Sequence, residues 1–204
     1  MLKLTYFNAA GRAFATRLCL SAAGIAFEDE RISWADMQAR KAASPASFPL
    51  GQMPVLALPS GAVVSQSGAH MRYAAKKAGL YPRDDDERAL IIDECLATTD
   101  EMMGKTPQNP DAAVKKALRE AFAASPTGLP KYLGFFVGKL AASGGPFLLG
   151  RDLSLADIDL LAALVAIESG SWDFIPPSVI PTALAAHMAA VRAHPLVVQH
   201  GKDI

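Results

Sequence analysis

Three short stretches of this sequence carry groups suited to chemistry. In KLTYFNAAGRA, residues 3–13, a strand-like run stops at Tyr6 and gives way to Gly11-Arg12 and a helical pattern. A tyrosine there is either packed, with its hydroxyl on a backbone carbonyl, or aimed at something outside the fold, because a buried O–H needs a partner. The second stretch is Met53-Pro54, which opens the strand-like run MPVLALP. A trans proline would demote that strand to an edge. A cis bond would instead turn the backbone of the preceding residue outward, leaving its N–H and C=O to pair with an extended peptide. The third is Gln66-Ser67, where a strand pattern ends and a helical one begins. Free N–H groups and the positive end of a helix dipole make such a point an anion site, to which a serine adds a hydroxyl. An ordinary N-cap serine looks the same.

The elements that must position these groups follow from periodicity. Residues 2–7 alternate as a strand does, and residues 12–23 place Phe14, Leu18 and Ala22 at helical spacing. A second strand is expected over 27–32 and a helix over 35–43. SPASFPLGQ is broken into a loop by two prolines and a glycine. MPVLALP, the Ser60-Gly61 turn and AVVSQS read as a hairpin, followed by a helix over 68–78. AGLYPRDDDE then marks a boundary, beyond which the chain is rich in Ala and Leu at helical periods. Asp84 to Asp86 supply a cap and negative charge for a long helix reaching Gly104. Further helices are expected over 111–124, 130–142, 154–168 and 182–193.

Composition limits what these elements can serve. The chain has 204 residues, 51% of them apolar, enough for a substantial core. Twenty Lys and Arg balance twenty Asp and Glu, so no net field favours nucleic acid or an anionic membrane. The two cysteines, Cys19 and Cys95, lie far apart with no CxxC pair, which fits a reducing compartment without a disulfide framework or structural metal. The first 27 residues contain no acid but carry Lys3, Arg12 and Arg17, the composition of a transit peptide. Their pattern is nevertheless strand then helix, running without a break into the second strand. No apolar run reaches the roughly 18 residues of a membrane span, so a soluble, cytoplasmic protein is expected.

With these motifs in this order, the sequence resembles the cytosolic glutathione transferases, most closely the sigma class that includes the glutathione-dependent prostaglandin D synthases. The resemblance covers nearly the whole chain. It is carried by KLTYFNAAGRA, by RISWADM through Lys41, by PLGQMPVL, by SQSGAHMRYAAKKAGLYP and by GGPFLLGRDLSLADIDLLAAL. It implies an α/β thioredoxin-like N-terminal domain over residues 1–80, and an all-α domain over residues 84–204 bearing an electrophile pocket and dimer contacts.

The resemblance also implies residue roles. Tyr6 would donate its O–H to the sulfur of glutathione, with Arg12 supporting the thiolate. The backbone of Met53, turned by a cis Pro54, would pair with the cysteinyl moiety, and Gln66 and Ser67 would hold the γ-glutamyl carboxylate. Lys41 and Gln52 would meet the glycyl end, where Gln52 stands in place of a frequent lysine. The family's glycine-site tryptophan aligns with Met37, one helical turn from Trp34, and either residue is open as the occupant. Asp100 or Glu101 would reach the α-amino group of glutathione in a partner subunit, a charge-assisted hydrogen bond. Phe7, Ala9, Met103, Asp159 and Ala163 align with the electrophile pocket, Ala163 also reading as helix core. Phe48, in a loop a few residues longer than the sigma pattern, is open between packing locally and anchoring into a partner subunit.

Ser154 to Asp157 resembles the family's buried capping box, a folding element. One aspartate expected of metal-binding members aligns with Ala97, and His70, His187, His194 and His200 have no ligand spacing, so no metal is expected. The resulting expectation is a homodimeric transferase using glutathione as co-substrate. Two alternatives stay open: a glutathione-dependent isomerase of the prostaglandin D synthase kind, and a non-catalytic relative on the same fold.

Overall fold

A computed structural model describes residues 1–202. The chain divides into two compact units, one formed by residues 1–83 and joined by residues 196–202, the other by residues 84–195.

The first unit is built on strands β1 (Leu2–Tyr6), β2 (Phe27–Arg31), β3 (Val55–Ala57) and β4 (Val63–Val64). They lie in the order β2-β1-β3-β4. β1 and β2 are parallel, with Leu2 opposite Phe27 and Tyr6 opposite Arg31. Parallel neighbours need a crossover, and helix α1 (Phe14–Ala22) supplies it. β3 runs antiparallel to β1, with Thr5 opposite Val55, and β4 antiparallel to β3, with Leu56 opposite Val64. Helices α2 (Trp34–Ala43) and α3 (Ser67–Ala78) complete the unit. Leu4, Leu18, Leu56 and Ala74 are buried in its core. A second cluster joins Ile32, Met37, Phe48 and Val55, with Phe7, Met53 and Val63 packed against it.

This second cluster explains the proline-rich loop. Pro45–Ser47 form a single 3-10 turn, after which Phe48 drops into the core. Burying one aromatic ring anchors a segment that has no other regular structure. Phe48 is therefore a local anchor in this unit.

The second unit comprises α4 (Asp86–Lys105), α5 (Ala112–Ala124), α6 (Leu129–Ser143), α7 (Leu155–Glu168) and α8 (Thr182–Ala193). Leu155, Ala156, Ile158, Leu160, Leu161 and Leu164 are buried on α7, the most apolar helix of this unit after its two aspartates are set aside. Asp85 caps α4 by accepting from the Arg88 N–H at 2.9 Å. A short final helix, α9 (Pro195–His200), has no counterpart among the expected elements. Its His200 Nδ1 and the Ser21 hydroxyl are 2.8 Å apart, which ties it to the end of α1. Among the described residues no helix is long and apolar enough to cross a membrane.

Candidate active site

The sheet register brings the three chemical stretches to one edge. Tyr6 ends β1, and Thr5 faces Val55 at the start of β3, so Met53 and Pro54 lie beside the tyrosine. Val64 faces Leu56, so the chain leaves β4 at the same edge and enters α3 through Gln66. β2 is parallel to β1, which starts α2 and its Trp34 there as well.

At Tyr6 the geometry is tight. The phenolic oxygen accepts a hydrogen bond from the Arg12 backbone N–H at 3.3 Å. Gly11 sits at φ +42°, and a Cβ on it would lie 2.7 Å from that oxygen. Only glycine allows this approach. A phenol that accepts through its oxygen still has its own hydrogen to donate, and hydrogen bonds in series strengthen one another. What the geometry displays of Arg12 beside the hydroxyl is thus its amide.

A residue that sequence reasoning passed over organises this turn. Arg17, on α1, is only 5% exposed. Its Nη1 donates to the Ala9 carbonyl at 2.5 Å and its Nη2 to the Phe7 carbonyl at 3.2 Å. Its Nε donates to Asp29 Oδ1 at 2.9 Å, and the guanidinium lies 5.8 Å from the centre of the Tyr6 ring. Asp29 also accepts from Arg31 Nε at 2.8 Å, and Arg31 Nη1 donates to Asn8 Oδ1 at 3.1 Å. The planar fork of Arg17 therefore fixes the segment after Tyr6 from below. A lone arginine among Phe14, Ala15, Leu18 and Leu20 was the available signal.

Met53-Pro54 is a cis peptide bond. Pro54 is buried, Met53 half-buried and Gln52 exposed. Lys41 reaches over this loop: a Cβ on Gly51, at φ +62°, would lie 2.8 Å from Lys41 Nζ. Gly51 is held by its N–H on the Phe48 carbonyl at 2.7 Å. Trp34 and Met37 separate completely. Met37 is 3% exposed and belongs to the core, whereas Trp34 is 63% exposed and stacks on Phe7.

The start of α3 is the most unusual backbone of the site. Gln66 has φ +75° and no side-chain cap closes the helix behind it. A non-glycine residue in this region costs about 1 to 3 kcal/mol and persists where its surroundings impose it. The Ala69 N–H and His70 N–H return to the Gln66 carbonyl, at 3.0 and 3.3 Å. From behind, the buried His70 donates Nε2–H to the Val64 carbonyl at 2.8 Å. Burial holds His70 below the usual imidazole pKa, so it is neutral in this role.

In the second unit, Asp100, Glu101 and Met103 lie on α4. Glu101 Oε1 accepts from the Tyr132 hydroxyl at 2.9 Å and lies 3.9 Å from Lys131 Nζ. Asp159 is half-buried on α7, while Ala163 is buried within the core of that helix. Burial pushes the Cys19 and Cys95 thiols up to about 12, so neither offers a thiolate near neutrality. Among the described residues, no group of three or more His, Cys, Asp or Glu is placed to hold a metal.

The chain matches the glutathione S-transferase N-terminal domain over residues 2–76 and the glutathione S-transferase C-terminal domain over residues 100–202. Glutathione S-transferase A4 of Mus musculus is 33% identical over 172 residues, covering 81% of this chain and 73% of that protein. Glutathione S-transferase A1 of Bos taurus is 32% identical over 202 residues, covering 98% and 89%. The structure of prostaglandin synthase D of Nilaparvata lugens aligns with a TM-score of 0.79 at 30% identity, over 98% of this chain and 96% of that one. With both domains matched and relatives at this identity along most of its length, the chain belongs to the glutathione S-transferase family.

Proposed function

We propose that this transferase conjugates the glutathione thiolate to apolar electrophiles, with Tyr6 donating its hydroxyl hydrogen to the sulfur. The observation that carries the reading is the convergence of Tyr6, Met53-Pro54 and Gln66-Ser67 on one edge of the sheet. A free thiol of pKa about 8.5 is only a few per cent ionised at pH 7, and each unit of lowering is about 1.4 kcal/mol of preference for the thiolate. A hydrogen bond to the charged form supplies that preference. The thiol proton leaves to solvent, and a sulfur lone pair forms the bond to the electrophilic carbon. The departing group, or the atom that was doubly bonded to that carbon, takes the displaced electron pair.

The remaining groups hold the tripeptide. The γ-glutamyl carboxylate sits at the start of α3 with Gln66 and Ser67, and the cysteinyl backbone pairs with Met53. Lys41 and Gln52 meet the glycyl carboxylate, a role supported by the position of Lys41 Nζ over Gly51. Arg12 supports the thiolate side. In a homodimer, Asp100 or Glu101 serves glutathione bound to the second copy, and the exposed Leu90 and Ile91 of α4 suit the contact. The sigma-class motif around Tyr6, a cytoplasmic setting and a detoxifying role complete the reading.

Tyr6→Phe should keep the protein on immobilised glutathione while lowering kcat by about tenfold or more and raising the pKa of the bound thiol. Unchanged turnover together with unchanged thiolate absorbance would remove Tyr6 from the mechanism. The likeness to a prostaglandin synthase D supports isomerisation as a second reading. Incubation with an endoperoxide separates the two, since isomerisation returns glutathione unconsumed. Retention without any turnover would identify a non-catalytic relative.

A further inference from the structure

Resting on the reading of Lys41 at the glycyl carboxylate, we propose that Glu30 and Arg40 are positioning residues whose ion pair aims Lys41 and so sets selectivity for a thiol peptide carrying a free carboxylate at that end. The mode of attachment of α2 points to this role. Among the described residues of α2, Met37 alone is buried, so little apolar packing holds the helix to the sheet. Trp34 stacks on Phe7 at its first turn. Past Met37 the hold is electrostatic, with Arg40 Nη1 donating to Glu30 Oε1 at 2.8 Å.

Glu30 is a firm anchor. It stands on β2 opposite Thr5, whose hydroxyl donates to Glu30 Oε2 at 2.8 Å, and Lys3 on β1 places Nζ 2.9 Å from Oε1. The Glu30 side chain is 17% exposed. Burial opposes its ionisation, but hydrogen bonds from Lys3, Arg40 and Thr5 outweigh that and hold the carboxyl down at about 2. The anchor is therefore charged at any pH at which a thiolate forms.

Helical geometry carries the constraint to Lys41. At about 100° per residue, Arg40 lies about 60° to one side of Met37 and Lys41 about 40° to the other. Arg40 is tied to the strand on its side, and Lys41 reaches over Gly51 on its own. A rotation of α2 that released Arg40 would swing Lys41 off Gly51 as well. The Ser44 N–H closes the helix on the Arg40 carbonyl at 2.8 Å, just before the turn that leads Phe48 into the core. A pair as open to solvent as Arg40 contributes little to stability, so what it supplies is aim.

The test compares glutathione with its glycinamide, which has the same length and no charge at that end. The readout is Kd for the amide divided by Kd for glutathione, by calorimetry on the full chain. The ratio should exceed one in the wild type and fall roughly 3- to 10-fold in Arg40→Ala and in Glu30→Gln, because part of a charge-assisted hydrogen bond is lost. Lys3→Met removes a Glu30 contact without releasing α2 and should leave the ratio unchanged. The Tm of Arg40→Ala should move by no more than about 4 °C. In a Lys41→Ala background, Arg40→Ala should lower the ratio no further. An unchanged ratio in Arg40→Ala, an equal fall in Lys3→Met, or a full additional fall on top of Lys41→Ala would overturn the positioning role while leaving the transferase reading standing. A ratio of one in the wild type, or one that Lys41→Ala does not lower, would overturn the placement of Lys41 and the proposal with it. Failure to bind either peptide would overturn the transferase reading too.

Discussion

Two helices of this chain begin in opposite ways. At α7 the first turn is closed: Asp157 Oδ2 accepts from the Ser154 N–H at 2.8 Å and its hydroxyl at 2.6 Å, while Oδ1 accepts from the Leu148 N–H at 2.7 Å and His187 Nε2 at 2.9 Å. At α3 the first turn has no side-chain cap, and Gln66 leads into it through left-handed backbone. Both ends have a buried histidine behind them, His187 on a carboxylate and His70 on a carbonyl. The difference lies in what satisfies the end of the helix. A buried end must find its partners within the protein, whereas one at the edge of a site can leave its N–H groups for a ligand. α7 closes its first turn with side chains, and the proposed glutathione site leaves that of α3 for a ligand.

The comparison breaks most sharply at Asp157. Replacing it with Ala leaves the donors of Ser154, Leu148 and His187 unmatched in the core and should cost about 3 to 5 kcal/mol, read as a large drop in Tm. Glutathione retention should fall only in proportion to the protein left folded. Ser67→Ala should do the reverse. Loss of a hydrogen bond to a carboxylate is worth about 1.5 to 3 kcal/mol, so Kd for glutathione, by calorimetry, should rise about 10-fold or more with Tm little changed. A Tm drop in Ser67→Ala as large as that in Asp157→Ala would erase the distinction.

Gln66→Gly is a finer probe. Glycine accepts positive φ without strain but loses more freedom on folding, so stability should move by about 1 kcal/mol or less in denaturant titrations. Glutathione binding should weaken because the side chain is gone. The smallest expected effect concerns pH. The folded pKa of His70 lies below its unfolded value, so its contribution to stability is complete above the unfolded pKa of about 6.5 and is lost as pH falls from there through the folded value. The Tm difference between about pH 7.5 and pH 5.5 should accordingly narrow in His70→Leu. An identical difference in wild type and variant would deny His70 that role.

Legibility followed sequence distance. The Ser154–Asp157 box is an i, i+3 relation and could be read directly, as could the helix start at Ser67. α9 escaped because HPLVVQH is too short for a helical period to stand out. The expected strand in AVVSQS shrank to Val63–Val64, since the backbone at Gln66 leaves the ladder. The part played by Arg17 could not be read, because its partners are the carbonyls of Phe7 and Ala9 and an aspartate on the neighbouring strand.

By itself the sequence determined the order of elements as far as α8, the family, and the three stretches suited to chemistry, because periodicity, turn chemistry and local motifs act over a few residues. Only the tertiary structure decided that Met37 and Phe48 go inward while Trp34 remains outside on Phe7, and that Arg17 lies beneath the Tyr6 turn. Those outcomes depend on which face of a helix or loop meets apolar neighbours brought from elsewhere in the chain, and burial is settled only when they arrive.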